Sequence, residues 1–234
     1  MTPTPVPTTS MNPTQYRPSR RLLALALAAS AATAHAAGGH HGVDDAALLD
    51  TGACKVEAWS TGSHGADTLH AGTGCRVGPV ELGVSADHAR EDGASATGYA
   101  LQVKWATEVR DGLSLGLSLA PGWQSHARPR YQGVAVMGLA TWQAGETVRL
   151  HANVGRFAAH RATGETRGGV SADWTFREGW QAMVERFTSD GGHFARAGLR
   201  WTPAGGWIVD ASRAVRVSGA GKSSWTLGLT REFD

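Results

Sequence analysis

Residues 224–234 read SWTLGLTREFD. Trp225, Leu227, Leu229 and Phe233 share one parity, while Ser224, Thr226, Gly228, Thr230 and Glu232 share the other, and Arg231 breaks the apolar set. Successive side chains of a strand point to opposite faces, so this is a strand with one apolar and one polar side. Alternation alone does not say which side faces inward. The rest of the chain has to decide that.

The pattern recurs. Short alternating runs bounded by turn residues predict strands at about 53–61, 67–77, 80–90, 98–109, 113–124, 132–143, 147–157, 167–177, 180–189, 193–202, 206–216 and 224–233. Leu113, Leu115, Leu117 and Leu119 alternate with Ser114, Gly116 and Ser118, and Val148, Leu150, Ala152 and Val154 with Arg149, His151 and Asn153. The connections GP, RDG, QAGE, EG and PAGG read as tight. TGSHGA, EDGASAT, SHARPRY, AAHRATGE and SGAGKSS read as longer, with SDGG a short exception. An even number of antiparallel strands with short turns at one end and longer loops at the other is the plan of a transmembrane β-barrel.

Tryptophan decides the orientation. Trp105, Trp142, Trp174, Trp180, Trp201 and Trp207, with Phe233, fall at strand ends beside the tight turns, and Trp59, Trp123 and Trp225 fall at the opposite ends. Amphipathic rings gathered at two levels suit the two interfaces of a bilayer. A soluble sandwich would place them mid-strand, in its core. The polar parity then faces a lumen lined by Lys104, Arg149, His151, Asp173, Glu185, Arg196, Arg200 and Asp210. A charge at mid-strand on the lipid side would cost about 2 to 4 kcal/mol. With a first hairpin centred between His64 and Gly65, Cys54 lies opposite Cys75, which predicts a structural disulfide across strands one and two.

Export is written at the start. Arg17, Arg20 and Arg21 precede a mostly apolar run from Leu22 to about Ala32 and the small-x-small site Ala34-His35-Ala36. Residues 1–36 therefore read as a secretory signal peptide, with Met11 an alternative start. No later run of about 18 apolar residues forms a membrane helix. Residues 37–52 precede the barrel domain, 53–234. In AGGHHGVDDAALLD, His40, His41, Asp44 and Asp45 are ligand types for a divalent metal, or a solvated tail, and DDAALLD suits a helical turn in the mouth or a plug. No other cofactor is called for.

Nothing marks an enzyme. Motifs for acyl transfer, zinc hydrolysis and phosphate binding are absent, and His151 and Asn153 share a face without a serine held beside them. A balance of 22 basic to 20 acidic residues gives no pull toward nucleic acid.

The closing strand, ending on Phe233, resembles the last strand of Gram-negative outer-membrane β-barrels. That resemblance implies the barrel-assembly machinery as a partner. The general plan and the WTLGLT strand also resemble the small barrels grouped with the MetA-pathway of phenol degradation, a group associated with hydrophobic compounds whose substrate class is not carried over to this chain. No substrate motif is matched residue by residue. The reading is an all-β, twelve-stranded antiparallel up-and-down barrel of the outer membrane, a pore or transporter for small solutes, its loop residues Arg128, Arg130, Arg161, Arg167 and Lys222 available to lipopolysaccharide phosphates. A filled barrel with a structural or adhesive role, and a soluble periplasmic β-domain, remain the alternatives.

Overall fold

The computed structural model describes residues 40–234, so the signal-peptide reading of 1–36 lies outside the described residues. Twelve strands follow one another: β1 (Cys54–Ser63), β2 (Ala66–Val77), β3 (Val80–Glu91), β4 (Ala94–Arg110), β5 (Leu113–Gln124), β6 (Tyr131–Gln143), β7 (Val148–Ala159), β8 (Glu165–Arg177), β9 (Trp180–Ser189), β10 (Gly192–Trp201), β11 (Trp207–Gly219) and β12 (Ser224–Phe233). Each pairs antiparallel with its neighbour, and β1 pairs with β12, so the sheet closes on itself and has no free edge. The opening stretch makes the closure: Phe233 lies opposite Cys54 and Ser224 opposite Ser63. In the first hairpin Cys54 is opposite Cys75, and the two form the disulfide.

The alternation sorts the side chains as a barrel in lipid requires. Leu117 is 55% exposed, Leu227 68% and Val154 69%, all facing outward. Lys104, Glu185, Arg200 and Asp210 point inward and are buried. A water-soluble protein has the reverse polarity, because apolar surface left in water costs about 25 cal/mol per Å². The wall is inside out for water and correct for a bilayer.

Trp105, Trp142, Trp174, Trp201, Trp207 and Phe233 face outward and are exposed, toward the rim where β1 begins and β12 ends. Trp180 stacks on Trp201 in the same belt. At the other rim Trp123 contacts Tyr131, and Trp225 faces outward.

Two connections differ from the sequence reading. TGSHGA and EDGASAT, expected as longer loops, are two-residue turns at His64-Gly65 and Asp92-Gly93. Asp92 (φ 49°) and Gly93 (φ 84°) both adopt left-handed backbone, the requirement of a type I′ hairpin turn that Asp-Gly meets at low cost. The strands therefore run further before reversing, and β4 begins at Ala94 rather than near 98. Leu117→Arg tests the polarity of the wall: with a cost of about 2 to 4 kcal/mol at mid-strand, we expect the folded, heat-modifiable gel band to be lost while Leu117→Ser retains it.

Candidate functional site

Residues 40–50 do not trail away from the barrel. They form an extended strap inside its lumen, running from mid-height at His40 down to the rim at Ala53, where Ala53 N–H donates to Asp50 O at 3.0 Å. A strap in a low-dielectric lumen must find partners for its own amides, since a buried unpaired polar group costs about 1 to 3 kcal/mol. The wall supplies them. The Glu185 carboxylate accepts from Gly42 N–H at 3.2 Å and Val43 N–H at 3.0 Å. Ala46 N–H donates to Thr141 Oγ1 at 2.8 Å, Leu49 N–H to Glu81 at 3.3 Å, and Arg76 donates to Leu49 O at 2.9 Å. Arg196 donates to His40 O, and with its amide oxygen toward the strap Asn153 accepts from Asp44 N–H at 2.9 Å.

Side chains complete the fastening. Lys104 Nζ lies 3.1 Å from Asp44 and 3.0 Å from Asp45. His40 Nε2 is 2.7 Å from Ser212 Oγ, and His41 sits between Glu185 (4.0 Å) and Asp210 (3.9 Å). Val43 packs against Phe187 and Phe194. Gly42 passes so close over Phe187 that a Cβ there would fall 2.4 Å from the ring, so the glycine is needed for contact rather than for its backbone angle.

Behind the strap the wall charges are paired among themselves. Arg200 Nε donates to Asp210 at 2.7 Å, Arg196 meets Glu185 at 2.9 Å, Arg149 lies 3.6 Å from Asp173, and Lys55 lies 3.3 Å from Glu81. The eight lumen residues singled out in the sequence thus sit in three groups: Lys104 with the strap carboxylates, Glu185 and Arg196 with Arg200 and Asp210 on either side of His41, and Arg149 and His151 with Asp173. His151 joins Arg149 and Asp173: its Nε2 is 3.3 Å from Asp173 and its Nδ1 2.8 Å from Thr141 Oγ1. This chain has the connectivity of hydroxyl, imidazole and carboxylate, yet Thr141 already accepts from the strap and the adjoining space is about 10 Å³. That is no more than one water's worth, too little for a substrate.

The residues read in the sequence as metal ligands meet the wall at separate places: His40 at Ser212, His41 near Glu185 and Asp210, and Asp44 and Asp45 together at Lys104. Among the described residues no three His, Cys, Asp or Glu side chains are placed to hold a metal ion. Nor is DDAALLD a helical turn: it is irregular, with the Ala46 and Leu49 amides donating to the wall and the Asp45 and Ala47 amides to the strap's own Asp44 and Asp45 carboxylates. Trp59 also differs from expectation. It shares the inward parity of Lys55, Glu57 and Thr61 and stacks on His70 with ring centroids 3.4 Å apart, so it belongs to the lumen. The parity of β1 carries that signal, since Trp59 is two residues from Glu57.

Beside the strap a cavity of about 480 Å³ remains, reaching from Arg167 and Ser189 toward the loop rim down to Lys55, Glu81 and Lys104 near the rim where β1 begins. Its wall includes Trp59, His70, Gln102, Ser118 and Arg196, and His40, His41, Gly42 and Asp44 of the strap line one side. The strap carries the titration. Burial first, then His41 and Arg196, push His40 down to about 3, with Asp210 opposing. Burial pushes the Asp44 carboxyl up, against the pull of Lys104. Lys104→Met removes the cation between Asp44 and Asp45. Stranding buried carboxylates in this way costs about 3 to 5 kcal/mol, so we expect the heat-modifiable band to unfold at a clearly lower temperature than in the wild type.

Comparison with known proteins follows the same line. A sequence model of the family described as "Uncharacterised conserved protein UCP029691" matches residues 24–233. No curated protein matches the chain. Among solved structures, the KdgM porin superposes with a TM-score of 0.61 at 8% identity, covering 77% of this chain and 99% of that one. A second KdgM structure, in complex with disordered oligogalacturonate, gives 0.61 at 9% over 77% and 99%. The NanC porin gives 0.54 at 8%, again over 77% and 99%. At these identities the likeness is one of fold: the barrel architecture of porins. The family matched is not the MetA-pathway group.

Proposed function

This chain belongs to the family whose model it matches over residues 24–233, and we propose that it is an outer-membrane pore for small polar solutes whose periplasmic half is closed by the strap 40–50. The observation that carries the reading is the inverted wall, apolar outside and charged within, around a cavity of about 480 Å³ that the strap narrows from one side. The rim bearing Cys54 and Phe233 faces the periplasm, and the loop rim faces outward. Residues 1–36, read as a signal peptide, supply the export, and the alternating closing strand suits recognition by the barrel-assembly machinery. A lumen of paired charges favours hydrated solutes over hydrophobic compounds. The porin fold of KdgM and NanC supports passage without naming a solute.

The strap also supports a second reading, a filled barrel that transports nothing. Conductance separates the two. In a planar bilayer the wild type should be mostly closed, whereas Gly42→Val, which cannot pass Phe187, and deletion of residues 40–50 should conduct in long-lived steps. A folded deletion variant that stayed silent would establish the filled barrel.

Acid should loosen the strap through His40. A histidine whose folded pKa lies near 3 stabilises docking fully above its free value of about 6.5, and this contribution is lost as pH falls from there toward 3. Asp44, raised by burial, acts in the opposite sense. Channel opening on going from pH 7 to pH 4.5 should therefore be several-fold greater in the wild type than in His40→Gln, which keeps a polar group toward Ser212 but does not titrate. Equal pH responses of the two proteins would remove His40 from this role.

A further inference from the structure

The outward wall carries an arc of cations for which the described residues supply no acidic partner. Among the described residues, the charged side chains facing outward on the strands of the loop-side half are Asp67, Arg90, Arg156, Arg186 and Arg213. Asp67 and Arg90 are opposite one another on β2 and β3. The other three lie on alternate strands, β7, β9 and β11, and their cross-strand neighbours are all neutral: Val136 and Thr166 beside Arg156, Val170 and Ala195 beside Arg186, Ala197 and Trp225 beside Arg213. All three are exposed.

The level of Arg213 is set by tryptophan. Arg213 lies over the Trp225 ring at 4.7 Å and shares its rung of the ladder, so it sits in the outer aromatic belt. Arg186 and Arg213 flank β10 at Ala195 and Ala197. Two strand spacings and a two-residue offset put their Cα atoms roughly 12 Å apart, within reach of one large headgroup by two long side chains that extend toward the interface. An arginine on the lipid face is costly unless an anion meets it, and guanidinium binds phosphate oxygens in pairs.

Resting on the outer-membrane reading above, we propose that Arg156, Arg186 and Arg213 form a binding site on the barrel wall for the phosphate groups of the outer-leaflet glycolipid, lipopolysaccharide. The site is distinct from the loop cations, because its residues are fixed on strands and Arg213 is held by Trp225. Its effect is to anchor the β7–β11 side of the barrel in the outer leaflet.

The test uses the purified full barrel in detergent, its fold verified by heat-modifiability, titrated with purified lipopolysaccharide, the same material dephosphorylated, and phosphatidylglycerol. We expect Arg156→Gln/Arg186→Gln/Arg213→Gln to bind intact lipopolysaccharide about tenfold or more weakly, dephosphorylation to weaken the wild type by a similar factor, and Arg231→Gln, at the other rim, to bind as the wild type does. Should the triple variant fail to fold, Arg213→Gln alone and the dephosphorylated ligand carry the same comparison. Binding unchanged by the substitutions or by dephosphorylation overturns the site, and so does phosphatidylglycerol binding as tightly as lipopolysaccharide. A wild type that fractionates as a soluble protein overturns the membrane reading itself, a separate result.

Discussion

Lys104 points from β4 into the barrel, is 4% exposed, and lies about 3 Å from two carboxylates that come from outside the sheet, Asp44 and Asp45. The rest of the interior depends on that contact. A buried ammonium without counter-charges is too costly to keep, so the wall needs the strap as much as the strap needs the wall. The same logic repeats at Glu185, whose carboxylate takes two strap amides as well as Arg196. Polarity inversion favours this: once the apolar parity has turned to lipid, the lumen keeps only a small apolar cluster at Val43, Phe187 and Phe194, and paired charge fills much of the rest.

Two consequences follow for function. The strap's grip is polar and distributed over β2, β3, β4, β6, β7, β9, β10 and β11, so movement of any of these wall elements changes a strap contact. Its apolar contribution is small, essentially Val43 on the two phenylalanines and Leu49 beside Ala53. A segment bound mainly by charge and hydrogen bonds responds to pH and ionic strength far more than one bound by apolar burial. That is the property expected of a closure that opens, and it is why the pore reading is preferred to the filled barrel.

Much of the barrel was legible in the sequence because strand periodicity is local. The alternation in 224–234 and in the leucine run of β5 gave both the strands and their two faces, and the pairing of Cys54 with Cys75 followed from one turn position. Turn lengths were less legible: Asp92-Gly93 was read as part of a long loop although Asp-Gly itself encodes the tight turn. Trp59 was misplaced by its distance from the hairpin, when its parity with Glu57 was the better guide. The fate of His40, His41, Asp44 and Asp45 was beyond local reading. Their partners stand about 60 to 170 residues away, at Lys104, Glu185, Asp210 and Ser212, and only closure of the barrel brings them together. What four polar residues in a glycine-rich stretch do depends on the wall they meet.

The account stands on the strap being docked in the lumen at neutral pH. Amide hydrogen exchange of the purified barrel tests this directly. The N–H groups of Val43, Ala46 and Leu49 donate to Glu185, Thr141 and Glu81, so they should exchange slowly, on the timescale of the strand amides and far more slowly than an unstructured peptide. Exchange of all three at the free-peptide rate, with the strands still protected, would place the strap outside the barrel and contradict the closed pore.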